Sequence, residues 1–318
     1  MSTGNLSAAQ RNGEGKRPFR QAATILREML NDPEKIVVCP GVYDGFTARI
    51  ALDIGFDALY MTGAGTAASR IGAPDLGIIN MTEMAANASM IAGLDWSVPV
   101  IADADTGFGS SLSAARTAKT YIEGNVAALH IEDQAFIKRC GHLRNKELVP
   151  LDTYLTRIRA ASMAREASGR DLVIIARTDS LQSLGFDEAI RRLKAAHEAG
   201  ADVAFFEGLV SKEQAREAVK ALAPIPCLLN IVHGGVTPVI SAKEAKEMGF
   251  KIIIWSILSL AEVYNSTRRA MKELRDTGLV TEREDKAGGI YDVFSVVGIN
   301  QFAEFDAAAG GVTLKGGF

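Results

Sequence analysis

Residues 131–146, IEDQAFIKRCGHLRNK, gather an acid pair (Glu132, Asp133), an adjacent pair of cations (Lys138, Arg139), a thiol (Cys140), an imidazole (His142) and a glycine (Gly141) in one short segment. Positive charge beside a cysteine favours thiolate over thiol, so Cys140, set between Lys138-Arg139 and Gly141-His142, has the surroundings of a reactive group rather than of a solvated turn. Gly141 lets the backbone pass close to a ligand. Upstream, DADTGFG places Asp103 and Asp105 at a strand end, where residues two apart share a face. With Glu132 from the next strand they form an oxygen-rich cluster suited to Mg²⁺, which keeps part of its water and binds through few carboxylates. The plain alternative is that one aspartate caps the following helix. Arg177, in ARTD, ends an apolar strand and needs an anion there, either a substrate carboxylate or a structural partner, Asp179 or Glu207. Glu207 and Asn230 join the candidate site by position, whereas His130 reads as packing and His197 as a surface residue of a helix.

Elements that could bring these residues together recur through the chain as an amphipathic helix, a glycine free to take the left-handed conformation, and a short apolar strand. The pattern appears at GFDALYM (Gly55), GNVAALHI (Gly124), GADVAFFE (Gly200) and GFKIIIW (Gly249). IVVCPG, VPVIADAD, DLVIIARTD and PCLLNIV supply four further strands, making eight. Helical patterns fall at roughly 80–94, 111–122, 152–167, 185–198, 211–222 and 257–276. Such alternation implies right-handed βαβ units, a parallel sheet and, with eight units, a closed (β/α)8 TIM-type barrel. The strands end on Tyr43, Thr62, Asp103, Glu132, Arg177, Glu207, Asn230 and Ser256, so one face of the barrel would collect the polar groups. A doubly wound sheet would gather only some of them, and neither GxGxxG nor GxxxxGK[ST] is present. Residues 63–77, GAGTAASRIGAPDLG, and the stretch around Cys140 read as long functional connections. The expected organisation is a disordered leader at 1–18, the barrel at 19–277 and a C-terminal helical extension at 278–318. Its apolar part, 290–302, is expected to form an extra helix that needs a surface to cover.

A net charge of -3 offers no basic field for nucleic acid or an anionic membrane. Three cysteines without CxxC spacing make neither a disulfide framework nor a zinc site, which points to a reducing compartment. No run is long enough to span a membrane. The expectation is a cytoplasmic protein without nucleic-acid or membrane partners, with organelle targeting by residues 1–18 left open.

With these residues assembled, the sequence resembles the isocitrate lyase and phosphoenolpyruvate mutase superfamily over about residues 20–310, through PGVYDG, YMTGAG, PDLG, DADTGFG, IEDQ with KRCGH, ARTD, FEG and the Asn230 strand running to Thr237 and Pro238. Within it the sequence resembles the short members, 2,3-dimethylmalate lyase, 2-methylisocitrate lyase and fungal oxaloacetate acetylhydrolase. The resemblance implies cleavage of a carbon–carbon bond beside the carboxylate of a 2-hydroxy or 2-oxo acid, dependent on Mg²⁺ or on Mn²⁺ as its substitute. Asp103, Asp105 and Glu132 would hold the metal, largely through water, with Asp75 supporting them. Tyr43, Thr62, Gly63, Ala64, Gly141, His142, Glu207, Asn230 and Thr237 would surround the substrate, and Arg177 would neutralise its charge. Cys140 would protonate the carbon left by cleavage, its ionisation adjusted by Lys138, Arg139 and His142. The resemblance also implies a homodimer or homotetramer that exchanges a C-terminal helix.

Three departures narrow the substrate. NIVHGGVTP puts His233 where related lyases commonly carry Glu. WSILSLAEV lacks the Arg with which methylisocitrate lyases meet an extra carboxylate, which argues against a tricarboxylate. Thr237 stands where the acetylhydrolases tend to have Ser. The reading is therefore a lyase acting on a substituted malate; its rivals are hydrolysis of oxaloacetate and a paralogue that only binds a 2-oxo acid.

Overall fold

The computed structural model describes residues 19–141, 143, 145–281 and 288–312. Eight parallel strands, β1 (Val37–Val42), β2 (Leu59–Met61), β3 (Val100–Asp103), β4 (Ala128–Glu132), β5 (Val173–Thr178), β6 (Val203–Phe206), β7 (Cys227–Asn230) and β8 (Ile252–Trp255), pair in sequence order and close into a barrel. Closure is made by β1 on β8, with Val37 opposite Ile252 and Pro40 opposite Trp255. The expected (β/α)8 architecture is present.

Strand alternation divides the apolar residues into two sets. Val37, Cys39, Tyr60, Ile101, Ile175, Phe205, Leu228, Ile252 and Ile254 pack together as the barrel filling, while Leu59, Met61, Ala102, Leu129, Ile131, Ile174, Phe206 and Ile253 pack outward with the helices. Burial of each large apolar side chain contributes roughly 1.5–3 kcal/mol, and both layers draw on nearly every strand. The parity continues to the strand ends. Asp103 lies two residues beyond Ile101, Arg177 two beyond Ile175, Glu207 two beyond Phe205, and Asn230 two beyond Leu228, so the register that fills the barrel also aims these polar groups inward.

Helices α1 (Ala22–Asn31), α2 (Gly45–Ile54), α3 (Gly63–Ile71), α4 (Met81–Ala92), α5 (Ser111–Glu123), α6 (Leu151–Ser168), the single turn α7 (Leu181–Leu184), α8 (Phe186–Glu198), α9 (Lys212–Leu222) and α10 (Ala242–Met248) accompany the strands. Ala22, Leu26 and Leu30 of α1 join the barrel filling and close its amino-terminal mouth. Arg27 ties the same helix to Asp171 and Asp202 at 2.7 and 2.9 Å. Beyond β8 follow α11 (Leu258–Thr277), α12 (Ile290–Val296) and α13 (Ile299–Ala308), none of which has a buried residue.

Three local expectations are corrected. The first nine residues of the presumed connection 63–77 form α3, because Thr62 caps it by accepting from Gly65 N–H at 3.3 Å and its Ala67 packs into the core. The apolar stretch 290–302 is not one helix, since Gly298 takes a φ of 95° and divides α12 from α13. After α5 the left-handed residue is Asn125 (φ 56°) rather than Gly124, which is pressed against Ser89. The expected leader, residues 1–18, lies outside the described residues.

Candidate active site

The carboxyl ends of the strands surround a cavity of about 200 Å³, lined by Thr62, Ala64, Asp75, Asp103, Cys140, Gly141, Arg177, Glu207 and Asn230 among others. Residues separated by more than a hundred positions in sequence therefore share one small volume. Over it lies a hairpin formed by the segment after β4. Ala135 N–H donates to Glu147 O at 2.7 Å, and Val149 N–H to Asp133 O at 2.9 Å. Within the hairpin, the Gln134 side chain clasps the Arg139 backbone from both sides, accepting from its N–H at 3.0 Å and donating to its carbonyl at 2.8 Å. That clasp sets the position of the adjoining Cys140, whose half-buried side chain borders the cavity. Gly141 is required by close approach, since a Cβ there would collide with the Arg177 guanidinium and crowd Glu207 and Asp179.

Asp103 and Asp105 meet by a different route from simple strand alternation. β3 stops at Asp103; Asp105 turns back through a φ of 46°, and its N–H donates to Asp103 Oδ1 at 2.9 Å. Neither aspartate caps α5, whose N-cap is Ser110. Glu132 completes the group from the end of β4, fully buried. Lys138 reaches down from the hairpin into this cluster, pairing with Asp75 and lying 2.6 Å from Asp105 Oδ1. Burial pushes the Asp105 carboxyl up to about 7, with Lys138 opposing and Asp103 and Asp75 adding to the rise. Burial likewise raises Glu132 well above the ordinary carboxylate range, against the pull of Arg177 and Lys138. Burial alone would depress the Lys138 ammonium, but Asp105, Glu132 and Asp75 hold it raised and charged.

These residues fit a hydrated divalent cation. Both Glu132 carboxylate oxygens and Asp105 Oδ1 are buried without a hydrogen bond, although Lys138 lies near the latter and Arg177 Nη1 is 3.3 Å from Glu132 Oε2. Ion contacts of that kind leave lone pairs that bound water could satisfy. Among the described residues, no three His, Cys, Asp or Glu side chains converge as a complete set of direct ligands.

Arg177 realises the structural pairing foreseen for it while still lining the cavity. It donates to both Asp179 oxygens at 3.0 and 3.1 Å and stands 4.0 Å from Glu207. Glu207 accepts from Asn230 Nδ2 at 3.0 Å, which leaves the buried Asn230 Oδ1 without a donor. His130 is core packing, bonded to the Tyr60 hydroxyl at 2.9 Å and set between Tyr60 and Phe205. Its imidazole is pushed down to about 4, chiefly by burial, with Arg177 and Lys138 adding and Asp103 opposing.

Other expected residues are placed less directly. Gly63 donates its N–H to Asp103 Oδ2 at 3.2 Å, and a side chain there would strike that carboxylate. Tyr43 and Thr237 are buried but do not line the cavity, and Arg139 is exposed. His142 lies outside the described residues. The structure adds Lys146, which bridges Gly141 O at 2.5 Å and Asp179 Oδ1 at 3.0 Å. Only its place at the end of the opening segment could have drawn attention to it. Val232, His233, Gly234, Ser256 and Ile257 also form cavity wall, a set signalled by their position just past β7 and β8.

Residues 26–275 match the phosphoenolpyruvate phosphomutase family. The chain belongs to that family, and with it to the PEP mutase/isocitrate lyase superfamily. It is similar to the 2,3-dimethylmalate lyase of Eubacterium barkeri, at 38% identity over 91% of this chain and 94% of that one. Among solved superfamily structures, a 2,3-dimethylmalate lyase shares 52% identity at a TM-score of 0.91, covering 95% of this chain and 99% of that chain. An oxaloacetate acetylhydrolase bound to 3,3-difluorooxalacetate shares 50% identity at a TM-score of 0.89, covering 93% of this chain and 99% of that chain. Superfamily relatives carry the names of lyases and mutases, and this member is an enzyme.

Proposed function

We propose that the protein is a carbon–carbon lyase that splits a substituted malate, of the 2,3-dimethylmalate kind, into a 2-oxo acid such as pyruvate and a carboxylic acid. The observation that carries this reading is the two-sided cavity. Of the acid cluster Asp103 and Asp75 line it together with Arg177, and the wall after β7 and β8, formed by Val232, His233, Gly234, Gly235, Ser256 and Ile257, contains no Lys or Arg. Such a wall has room for a small uncharged substituent and no cation to meet a third carboxylate.

Asp103, Asp105 and Glu132 would hold Mg²⁺, or Mn²⁺ in its stead, through water, with Asp75 behind them. When bound, the ion would supply the positive charge that favours loss of the substrate hydroxyl proton. Thr62, Gly63 and Ala64 would orient the neighbouring carboxylate, and Arg177 would offset its charge. The C2–C3 bond breaks as C2 becomes a carbonyl; its electron pair passes to C3, giving an enolate-like carboxylate. Cys140 would deliver its thiol proton to C3 and end as the thiolate that the neighbouring cations favour; the hydroxyl proton leaves to solvent and one proton taken from solvent restores the thiol, so the protons balance. Lys138 would serve as counter-charge to the acid cluster and, with Arg139 and His142, set the field around the thiol. Asn230 Oδ1 would accept from a substrate donor, with Glu207 fixing the amide. Tyr43 and Thr237 would support this wall from behind.

The acetylhydrolase likeness favours one second reading, hydrolysis of oxaloacetate with water to oxalate and acetate; Thr237 in place of Ser weighs against it. Purified protein with Mg²⁺ should release pyruvate from 2,3-dimethylmalate, with oxalate assayed separately from oxaloacetate. Oxalate without pyruvate would install the hydrolase, and silence toward both and toward 2-methylisocitrate would leave a binding paralogue. The uncovered apolar residues of α11–α13 support a homodimer or homotetramer built by helix exchange. No helix among the described residues is long and apolar enough to cross a membrane, and the reading is of a cytoplasmic enzyme of small acids.

A further inference from the structure

The hairpin that carries Cys140 is anchored by a side chain from another part of the chain. Arg192 of α8 is buried, at 5% exposure. Its Nη1 donates to Asp133 Oδ2 at 3.1 Å and to Val149 O at 3.1 Å, while its Nε donates to Glu188 Oε1 at 3.0 Å. Asp133 begins the segment and Val149 ends it. One guanidinium nitrogen therefore joins the two roots of the hairpin, 16 positions apart in sequence. Asp133 also accepts from Thr178 Oγ1 at 2.6 Å and from Asp179 N–H at 2.9 Å. Asp179 is the partner of Arg177 and Lys146, so the anchor extends to the cavity wall through direct hydrogen bonds. A second guanidinium, Arg157 of α6, donates to Gln134 O at 2.8 Å, next to the root and on the residue that clasps Arg139.

We infer that Arg192 is a positioning residue of the active site: it holds both roots of residues 133–149 together and so keeps Cys140 directed at the cavity, although it touches no reacting group. A guanidinium suits the task because its planar donors reach several acceptors in fixed directions; an ammonium could answer the charge of Asp133 but has no rigid fork. The competing view is that Arg192 only neutralises a buried carboxylate. Arg192→Lys separates the two, since it keeps the charge and loses the fork.

The kinetic part of the inference rests on the lyase reading, whereas the exchange part does not. In the full-length protein, Arg192→Lys should speed hydrogen exchange at the Ala135 and Arg139 amides by about tenfold, with amides of β5 unchanged. On 2,3-dimethylmalate, kcat should fall by about 10- to 100-fold while KM stays within about threefold. Unchanged exchange in the hairpin would overturn the inference, as would equal acceleration throughout the barrel. A parent enzyme that releases no pyruvate would remove the lyase reading and leave the exchange comparison decisive. If Arg192→Lys does not fold, the pair Asp133→Asn with Arg192→Gln removes the uncompensated buried charge, and the same hairpin-selective exchange is expected.

Discussion

The carboxyl end of the barrel and the C-terminal extension both hold many apolar side chains, yet they resolve their burial in opposite ways. In the barrel, alternation places Ile101, Ile175, Phe205 and Leu228 inside, and the polar groups that continue the same parity find partners around one cavity. In the extension, taken together with α11, which leads into it, Tyr264, Met271, Phe302 and Phe305 are each at least 60% exposed, and α11, α12 and α13 bury nothing. A strand in a closed sheet has its cover specified by its neighbours. A helix that leaves the barrel carries an apolar face whose cover must come from elsewhere, and large uncovered faces of this kind are used for association. On the proposed reading, the cavity groups come from one chain, while the extension awaits a second copy to cover it.

The sharpest way to break this division is to alter the barrel end alone. Cys140→Ser should lower turnover of 2,3-dimethylmalate by about 10²- to 10⁴-fold, the span of a positioned proton donor, while calorimetry still detects substrate binding. A variant that cleaves at the parent's rate would remove Cys140 from the reaction. Loss of binding together with loss of turnover would instead make the thiol part of the hairpin's architecture.

The extension should respond in the complementary manner. Met271→Glu with Phe302→Glu should dissociate the oligomer and leave the barrel folded, as read by light scattering and circular dichroism. Each site lost contributes roughly 1.5–3 kcal/mol of apolar burial, so the two together weaken association by about 10²- to 10⁴-fold. A parent that is already monomeric at micromolar concentration would show that these faces are not joined to another copy.

How far each region can be read from sequence follows from the range of the forces that shape it. Strand parity and terminal glycines are local, so the eight strands and the inward aim of Asp103, Arg177, Glu207 and Asn230 are visible in the order of residue types. α3 is harder to see, because its glycines resemble a loop until Gly63 is found against the Asp103 carboxylate and Gly65 against Tyr43. Lys146 and Arg192 are invisible for a different reason. Each is an ordinary cation whose meaning comes from partners far away in sequence, Asp179 for one and both Asp133 and Val149 for the other. Asp105 joins the acid cluster through a left-handed turn that its residue type permits but does not announce.

A finer contrast concerns His130, which only the barrel can bury. Its folded pKa is near 4 and its ordinary value is 6.5, so below about pH 6.5 the unfolded chain takes up a proton that the folded barrel refuses. Stability from this group is fully present above pH 6.5 and declines as pH falls toward 4. Between pH 7 and 5 the loss should be about 2 kcal/mol in urea unfolding, and His130→Gln should remove that share of the pH dependence. An imidazole that titrates near 6.5 by NMR in the folded protein would show that the barrel filling does not exclude charge there.

The smallest test addresses how the helices of the two regions begin. Ser241 starts α10 with a capping box, accepting from Glu244 N–H at 3.2 Å while the Glu244 carboxylate accepts from Ser241 N–H at 2.9 Å. α12 and α13 start at Gly289 and Gly298 with no side-chain cap. Ser241→Ala should therefore destabilise the barrel by about 1 kcal/mol in urea unfolding. Gly289→Ser, placed at an extended N-cap (φ -63°, ψ 168°), should stabilise α12 by only a few tenths of a kcal/mol. If helix order in the extension derives mainly from the surface that covers it, this small gain should be detectable in the Met271→Glu, Phe302→Glu background by hydrogen exchange at 290–296 and be masked in the assembled parent. Equal protection in both backgrounds would mean that the extension holds its helices without help from another copy.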